Sequence, residues 1–385
     1  MAVRLDCLED FARDKHFNKT PECHSIKYTV VLMRILGIET SCDETAAAVV
    51  EDGRHLLSNV VASSMALHAV YGGIVPEIAA RSHIEAIIPV IDQALADAGC
   101  SWSQLDGIAV TYGAGLSGSL LIGVLTARSM ALCRHLPLYA INHVEGHVYA
   151  NFLTGTSLPG YILPAQQPLF PLLALIVSGG HTQLVLFHDH FKYTLLGRTH
   201  DDAIGEAFDK VAKILGLPYP GGPSIGLAAK TGDPFSFRLP KARLTTKYDF
   251  SFSGLKTAVL RLAQKQIGES FGFPSTKLPE RLNEAQRVNI AASFERVAVE
   301  TVVDKTILAY EEYQPAAVVI AGGVAASTEL RRQLTERVPV AIAYTDPKLC
   351  TDNGAMIATL GCYKFKMHQP IADPYSLAIA PDLTM

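Results

Sequence analysis

The chain has 385 residues, of which 49% are hydrophobic and 18% are charged, and its formal net charge is −4 at pH 7. A chain of this length and apolar content can bury a large core and form two domains. Because the net charge is slightly negative, the sequence does not favour tight binding of a nucleic acid by this chain alone through electrostatic attraction.

The cysteines, the apolar runs and the N-terminus together predict a cytoplasmic protein without membrane segments. The seven cysteines include no CxxC pair, which indicates reduced thiols rather than a disulfide framework. The longest apolar run, residues 169–177, is interrupted by Pro171 and is too short to span a membrane. Asp6, Glu9 and Asp10 occupy positions where a secretion signal would be apolar.

The first residues differ from the rest, because they carry charges of both signs without a regular period. We interpret them as a poorly ordered extension, or as the result of a start codon assigned too early. A segment rich in proline and glycine, residues 153–171, has the composition of a linker between two lobes. The predicted division is an extension at 1–32, a first lobe at 33–165 completed by 350–385, and a second lobe at 166–349.

Strands and helices alternate from Met33 onward, which predicts an α/β fold. Residues 36–50 indicate a strand, a short polar turn and a second strand, and residues 172–186 repeat this plan, which suggests a duplicated lobe. The polar or glycine residues at the two bends are Asp43 and Glu44 in the first, and Ser178, Gly179 and Gly180 in the second.

Glycines at such bends let backbone N–H groups approach a phosphate, although a single Gly-Gly bend is usually only a tight turn. A third segment supports the phosphate interpretation. Residues 317–325 indicate a buried strand that ends in a glycine pair, and a predicted helix follows at residues 328–336. This order suits a nucleotide at a helix N-terminus.

Residues 113–118 have the glycine spacing of a dinucleotide-binding turn. That fingerprint also requires an acidic residue at the end of the next strand, but the next strand, residues 138–141, leads to Asn142. We therefore interpret these glycines as a close-packed turn beside the site described next.

His143 and His147 are four residues apart, so on a helix both imidazoles can converge on one ion. Asn142 and Glu145 have the spacing of an N-cap and its reciprocal carboxylate, which places both histidines in the first turns of a helix. We expect the helix dipole there to disfavour imidazolium and to keep both rings able to bind a metal. The alternative is a pair of surface or satisfied core histidines.

Glu145 also separates this motif from the HExxH of zinc proteases, in which glutamate directly follows the first histidine. Two positions after His143, it points away from the ion, and we predict that it caps the helix. A metalloprotease of the glycoprotease type remains the alternative function.

Eight ordered motifs resemble the bacterial TsaD family (also called Gcp), from about Met33 to Gly361. They are Ile38-Glu-Thr-Ser-Cys-Asp-Glu-Thr45, Tyr71-Gly-Gly-Ile-Val-Pro-Glu77, His143-Val-Glu-Gly-His147, Val177-Ser-Gly-Gly-His-Thr-Gln183, Gly205-Glu-Ala-Phe-Asp-Lys210, Tyr219-Pro-Gly-Gly-Pro223, Asp249-Phe-Ser-Phe-Ser-Gly-Leu-Lys256 and Cys350-Thr-Asp-Asn-Gly-Ala-Met356.

The resemblance implies a duplicated, actin-like (ASKHA, ribonuclease H-like) two-lobed fold. It implies transfer of a threonylcarbamoyl group from threonylcarbamoyl-adenylate to N6 of adenosine 37 in tRNAs that read ANN codons, with TsaB and TsaE homologues as partners. A small-molecule kinase of the same fold is a further alternative, but a His–His–Asp site has no evident purpose in it.

The resemblance also implies roles for individual residues. His143, His147 and Asp352 would bind one divalent metal ion, and such a donor set accepts Fe²⁺ or Zn²⁺. Asp43 and Glu44 could orient substrate or accept a proton, or merely hydrogen-bond the turn backbone. The residues expected to contact the adenylate are Ile176, Val177, Ser178, Gly179, Gly180, Asp209 and Gly222.

Three positions depart from the family pattern. Ser327 replaces an asparagine after the glycine pair, Gly226 replaces an aspartate that would contact ribose or bridge the lobes, and Ala114 replaces a proline. We expect weaker or altered adenylate binding with transfer retained, and a Ser327→Asn, Gly226→Asp variant with unchanged affinity would contradict this.

Residues 238–265 carry seven basic side chains against one acid, Asp249. Tyr248, Phe250 and Phe252 are interleaved with them, so we predict contacts to phosphates and stacking on an anticodon-loop base. The alternative is an ordinary solvated surface.

Overall fold

The computed structural model describes residues 32–340, 342 and 344–385. The strands are β1 (Arg34–Glu39), β2 (Glu44–Glu51), β3 (His55–Ser63), β4 (Gly107–Gly113), β5 (Leu138–Asn142), β6 (Gly155–Thr156), β7 (Leu172–Val177), β8 (Thr182–Asp189), β9 (Lys192–Arg198) and β10 (Ala317–Ala321). The α-helices are α1 (Met65–Ala69), α2 (Pro76–Asp97), α3 (Ser117–Arg134), α4 (His143–Tyr149), α5 (Ile204–Leu215), α6 (Gly221–Ala229), α7 (Ser253–Gln266), α8 (Glu284–Tyr313), α9 (Thr328–Arg337) and α10 (Gly354–Lys366).

Two sheets repeat one topology. The first has the order β5-β4-β1-β2-β3-β6 and the second has the order β10-β7-β8-β9. In each sheet three consecutive strands form an antiparallel meander, and a later strand pairs in parallel with the first of the three. The expected duplicated actin-like α/β fold is therefore confirmed.

The two strand-turn-strand units predicted from the sequence are confirmed, because residues 36–50 form β1 and β2 and residues 172–186 form β7 and most of β8. Strands β1, β2 and β7 are buried almost throughout, which explains their runs of aliphatic residues without polar alternation. The predicted helix after the glycine pair is α9. The Pro-rich linker is mostly irregular and contains only the short strand β6, paired with β3.

Helix α10 packs on the first sheet although it lies at the other end of the sequence. The backbones touch directly, because a β-carbon added at Gly354 would lie 2.5 Å from the carbonyl carbon of Ala47. A β-carbon at Gly37 would collide with the Gly354 carbonyl oxygen and the Ala358 nitrogen. This packing places the N-terminus of α10 beside the turn that follows β1.

The lobe boundaries stay a prediction, and the extension assigned to residues 1–32 lies, apart from Leu32, outside the described residues. Among the helices that the structure describes, none combines the length and the apolar composition needed to cross a bilayer.

Candidate metal centre and adenylate site

Helix α4 carries both motif histidines, as predicted. Asn142 is its N-cap, and the Asn142 side chain accepts hydrogen bonds from the backbone N–H groups of Val144 and Glu145. His143 and His147 are buried, and their ring centroids are 4.6 Å apart. The helix therefore brings the two imidazoles together on one face.

Glu39, at the end of β1, orients His143, and sequence reasoning missed this role. Nδ1 of His143 lies 3.2 Å from Oε2 of Glu39 and 3.1 Å from the Ser41 hydroxyl. The Glu39 carboxylate also accepts hydrogen bonds from the Ser41 backbone N–H and the Thr111 hydroxyl. A proton on Nδ1 directed at Glu39 leaves Nε2 of His143 free for a metal. The available signal was a glutamate directly after the apolar residues 35–38.

Asp352 joins the two histidines from the turn before α10. Its Oδ1 lies 3.5 Å from Nε2 of His143 and 3.3 Å from Nε2 of His147. Asn353 fixes this turn, because its side chain caps α10 and donates to the carbonyl oxygens of Leu349 and Thr351. The donor atoms of the three predicted ligands lie within 4.8 Å of one another.

The donor set fits a divalent cation. Neither ring nitrogen of buried His147 makes a hydrogen bond among the described residues, and a cation at Nε2, the nitrogen that faces Asp352, would satisfy one of them. Ligands about 2.1 Å from one metal ion are themselves about 3 to 3.5 Å apart, close to the observed separations. Two imidazoles and one carboxylate leave coordination positions for substrate oxygens.

The carboxylates around His143 oppose the effect expected from the helix dipole. Burial lowers the pKa of His143, but the negative charges of Asp352 and Glu39 outweigh it and raise the pKa to about 9. Full charges at contact distance exceed the partial charge of a helix end. The same two carboxylates favour a bound cation, which would compete with this proton for Nε2.

The predicted capping role of Glu145 is also wrong. Its carboxylate makes no reciprocal bond to the Asn142 N–H, and Oε1 is buried without a partner within the described part of the chain. Burial raises the pKa of Glu145 to about 7, against the opposing charge of Lys364. Glu145 lies outside the metal-binding group, so a protease would lack its general base at this position.

Asp43 lies in the turn after β1 and Glu44 begins β2, near Asp352. The Asp43 carbonyl oxygen accepts from the backbone N–H and the hydroxyl of Ser64, which fixes the turn. Burial, followed by the charges of Asp352 and Asp43, raises the pKa of Glu44 to about 10. This shift favours the protonated form of Glu44, whose Oε1 lies 3.4 Å from the Ser63 hydroxyl.

The turn of residues 176–180 links β7 to β8 and adjoins the metal group. Ile176 and Val177 are buried strand residues, Ser178 closes the bend through its backbone N–H to the His181 carbonyl, and Gly179 and Gly180 are exposed. The ring of His181, next in the chain, lies 6.5 Å from that of His143.

The glycine pair after β10 lies against the same turn. Gly322 has φ +89°, and a β-carbon there would collide with the Val177 carbonyl oxygen. A β-carbon at Gly323 would lie 3.9 Å from Cγ2 of Thr351, the neighbour of Asp352. Both glycine turns therefore border the metal-binding group.

Asp209 and Gly222, predicted to contact the adenylate, are close together. Oδ1 of Asp209 on α5 accepts from the Gly221 backbone N–H at 2.7 Å, which caps the N-terminus of α6. A β-carbon at Gly222 would meet no atom within 4 Å, so this side of α6 is open to a ligand.

Ser327 caps α9, because its hydroxyl accepts from the Leu330 N–H at 3.3 Å. The turn of residues 113–118 packs as predicted, since the Leu116 N–H donates to the Ser41 carbonyl and a β-carbon at Gly115 would lie 2.6 Å from it.

The predicted base-stacking aromatics are wrong. Tyr248, Phe250 and Phe252 are buried in the core of the second sheet and its helices. Lys241 pairs with Glu300 and Asp304, and other basic side chains of this segment are paired as well, Lys247 with Glu312 and Lys256 with Asp202. Phe250 forms an isolated bridge with Thr199, and this segment is anchored by its aromatic side chains in the core.

The duplicated sheets and the His–His–Asp group between two glycine turns define an actin-like protein with a candidate metal centre. Residues 55–359 match the family described as TsaD: tRNA N6-adenosine threonylcarbamoyltransferase. The chain belongs to this family and is therefore an acyltransferase with tRNA as its substrate.

Relatives in the same family match most of the chain. A tRNA N6-adenosine threonylcarbamoyltransferase of Thermomicrobium roseum is 52% identical over 338 residues, which are 86% of this chain and 92% of the relative. One of Desulfitobacterium hafniense is 48% identical over 359 residues, which are 92% and 98% of the two chains. A structure of HypF superposes with a TM-score of 0.52 at 12% identity, over 88% of this chain and 47% of HypF, and supports the fold alone.

Proposed function

We propose that the protein transfers the threonylcarbamoyl group of threonylcarbamoyl-adenylate to N6 of adenosine 37 in tRNAs that read ANN codons, and releases AMP. The observation that carries the proposal is the position of the His143, His147 and Asp352 group between two glycine turns. A mixed anhydride of an acyl group and AMP requires both features, the glycine turns for its phosphate and the metal-binding group for its acyl oxygens.

The chemistry requires an activated donor, because the adenine N6 lone pair is delocalised into the ring and is a weak nucleophile. Backbone N–H groups of Gly179 and Gly180 would hold the phosphate, and the open side of α6 at Gly222 would receive the adenosine. A bound metal would polarise and position the carbonyl of the threonylcarbamoyl group. Asp43 is our candidate to accept the proton that N6 loses, and Glu44 is our candidate to donate a hydrogen bond.

The direct test is to incubate the purified chain with threonylcarbamoyl-adenylate and an unmodified ANN-decoding tRNA, with and without TsaB and TsaE homologues. Nucleoside mass analysis is expected to show threonylcarbamoyladenosine at position 37 and equimolar AMP. Absence of the modified nucleoside under every condition would refute the proposal. Cleavage of casein under the same conditions would instead support the protease alternative.

Removing the metal is expected to remove the activity. Chelation should abolish transfer, and Fe²⁺ or Zn²⁺ should restore it. Elemental analysis should find about one equivalent of metal in the unsubstituted protein and much less in His147→Ala. Glu145→Gln is the matched control, because Glu145 lies on the same helix but outside the donor group. Retention of metal by His147→Ala would contradict the ligand assignment.

A further inference from the structure

An unpaired carboxylate lies between α6, α8 and the start of α9. Glu295 on α8 is half-buried, and in the part of the chain that the structure describes it makes no hydrogen bond or ion pair. Burial, and then the negative charge of Glu329 on α9, raises the pKa of Glu295 to about 7. A half-buried carboxylate that no described protein group pairs is available to a ligand.

Glu329 does not share this property. Its two carboxylate oxygens are held by the Arg332 guanidinium and the Gln333 side-chain amide, at 2.7 to 2.8 Å. Of these two neighbouring carboxylates, only Glu295 is available to a ligand.

Gly226 on α6 faces Glu295. A β-carbon added at Gly226 would lie 3.4 Å from Oε1 of Glu295 and would meet no other atom within 4 Å. Gly222 lies one turn earlier, so both glycines are on the same side of α6. The open surface at Gly222 therefore continues along the helix to the Glu295 carboxylate.

We propose that Glu295 binds the ribose hydroxyls of the adenylate. Helix α8 would then supply the carboxylate for which α6 has only Gly226. A carboxylate accepts two hydrogen bonds from the adjacent 2′ and 3′ hydroxyls of ribose, as acidic residues do in dinucleotide sites. The smooth glycine surface lets the sugar approach the α6 backbone. This inference rests on the proposed function, because it places an adenylate at α6.

The inference changes what is expected of Gly226. An aspartate at this position would put a second carboxylate beside Glu295, and like charges at this distance repel. Gly226→Asp alone should therefore weaken nucleotide binding rather than improve it. The same substitution in a Glu295→Gln background should restore binding, because one carboxylate then remains.

The experiment is calorimetric titration of the full chain with AMP and with 2′-deoxy-AMP. The unsubstituted protein is expected to prefer AMP, and Glu295→Gln should bind AMP about tenfold more weakly and lose this preference. Glu311→Gln is the matched control, because Glu311 is an exposed residue of the same helix. Melting temperatures without nucleotide verify that each variant is folded.

The outcomes separate the two proposals. Equal AMP affinity and equal discrimination in the unsubstituted protein and in Glu295→Gln would overturn the ribose assignment and leave the proposed function intact. Failure of Gly226→Asp to recover binding in the Glu295→Gln background would also count against it. If the unsubstituted protein bound no AMP, the ribose assignment would fail, and the nucleoside assay would still decide the proposed function.

Discussion

Replacing His143 with alanine is expected to abolish threonylcarbamoylation of tRNA while the protein stays folded. The substitution removes one of three donors, and the remaining pair cannot hold and orient a catalytic ion. We expect a loss of at least about a thousandfold in rate, the scale on which metal assistance operates. Helix α4 should persist, because its N-cap is Asn142 and does not depend on the imidazole.

The measurement is the amount of modified nucleoside formed per minute, together with metal content and thermal melting. His188→Ala is the matched control, because this histidine is an exposed residue of β8 that bonds only Thr194 in the described structure. Glu39→Gln should give an intermediate result, a loss of about 10- to 100-fold in metal affinity, since it orients a ligand without being one. If His143→Ala remained active, the metal-binding group would have no role in the reaction.

The parts of the fold that depend on local pattern were predictable from the sequence. The two hairpins follow from aliphatic runs that flank short polar bends, and helix α4 follows from Asn142 followed by the histidine spacing. The close packing of the turn at residues 113–118 also followed, because glycines there leave room for the Ser41 backbone. In each case neighbouring residues alone carry the information.

The parts that depend on distant contacts were not predictable. Glu39 was missed because its partner His143 is 104 residues away, and nothing local distinguishes an orienting carboxylate from a strand end. Glu145 has the spacing of a capping residue, but burial of its side chain overrides that bond. Phe250 resembled a surface aromatic among lysines, but its ring packs in the core of the second sheet, and acidic residues of α8 pair with Lys241 and Lys247.

Gly37→Ala is expected to destabilise the fold strongly and to damage the metal site at the same time. The added β-carbon would overlap the backbone of α10 at Gly354 and lie 2.8 Å from the Ala358 β-carbon. Backbone atoms cannot rotate away as side chains can, so the helix must move or the strand must bend. Overpacking of this kind costs about 3 kcal/mol in free energy of unfolding.

The displacement would act on the site through the turn at the start of α10. Asp352 precedes that helix by two residues and lies 3.3 Å from His147, so a shift of the helix separates donors that must remain close. Urea denaturation and elemental analysis measure the two effects separately. Gly254→Ala on α7 is the control, because a β-carbon there meets nothing within 4 Å and an alanine favours the helix. If Gly37→Ala kept both its stability and its metal content, the position of α10 would not depend on this contact. If the variant stayed folded but lost its metal, the packing of α10 on β1 would be shown to set the position of Asp352.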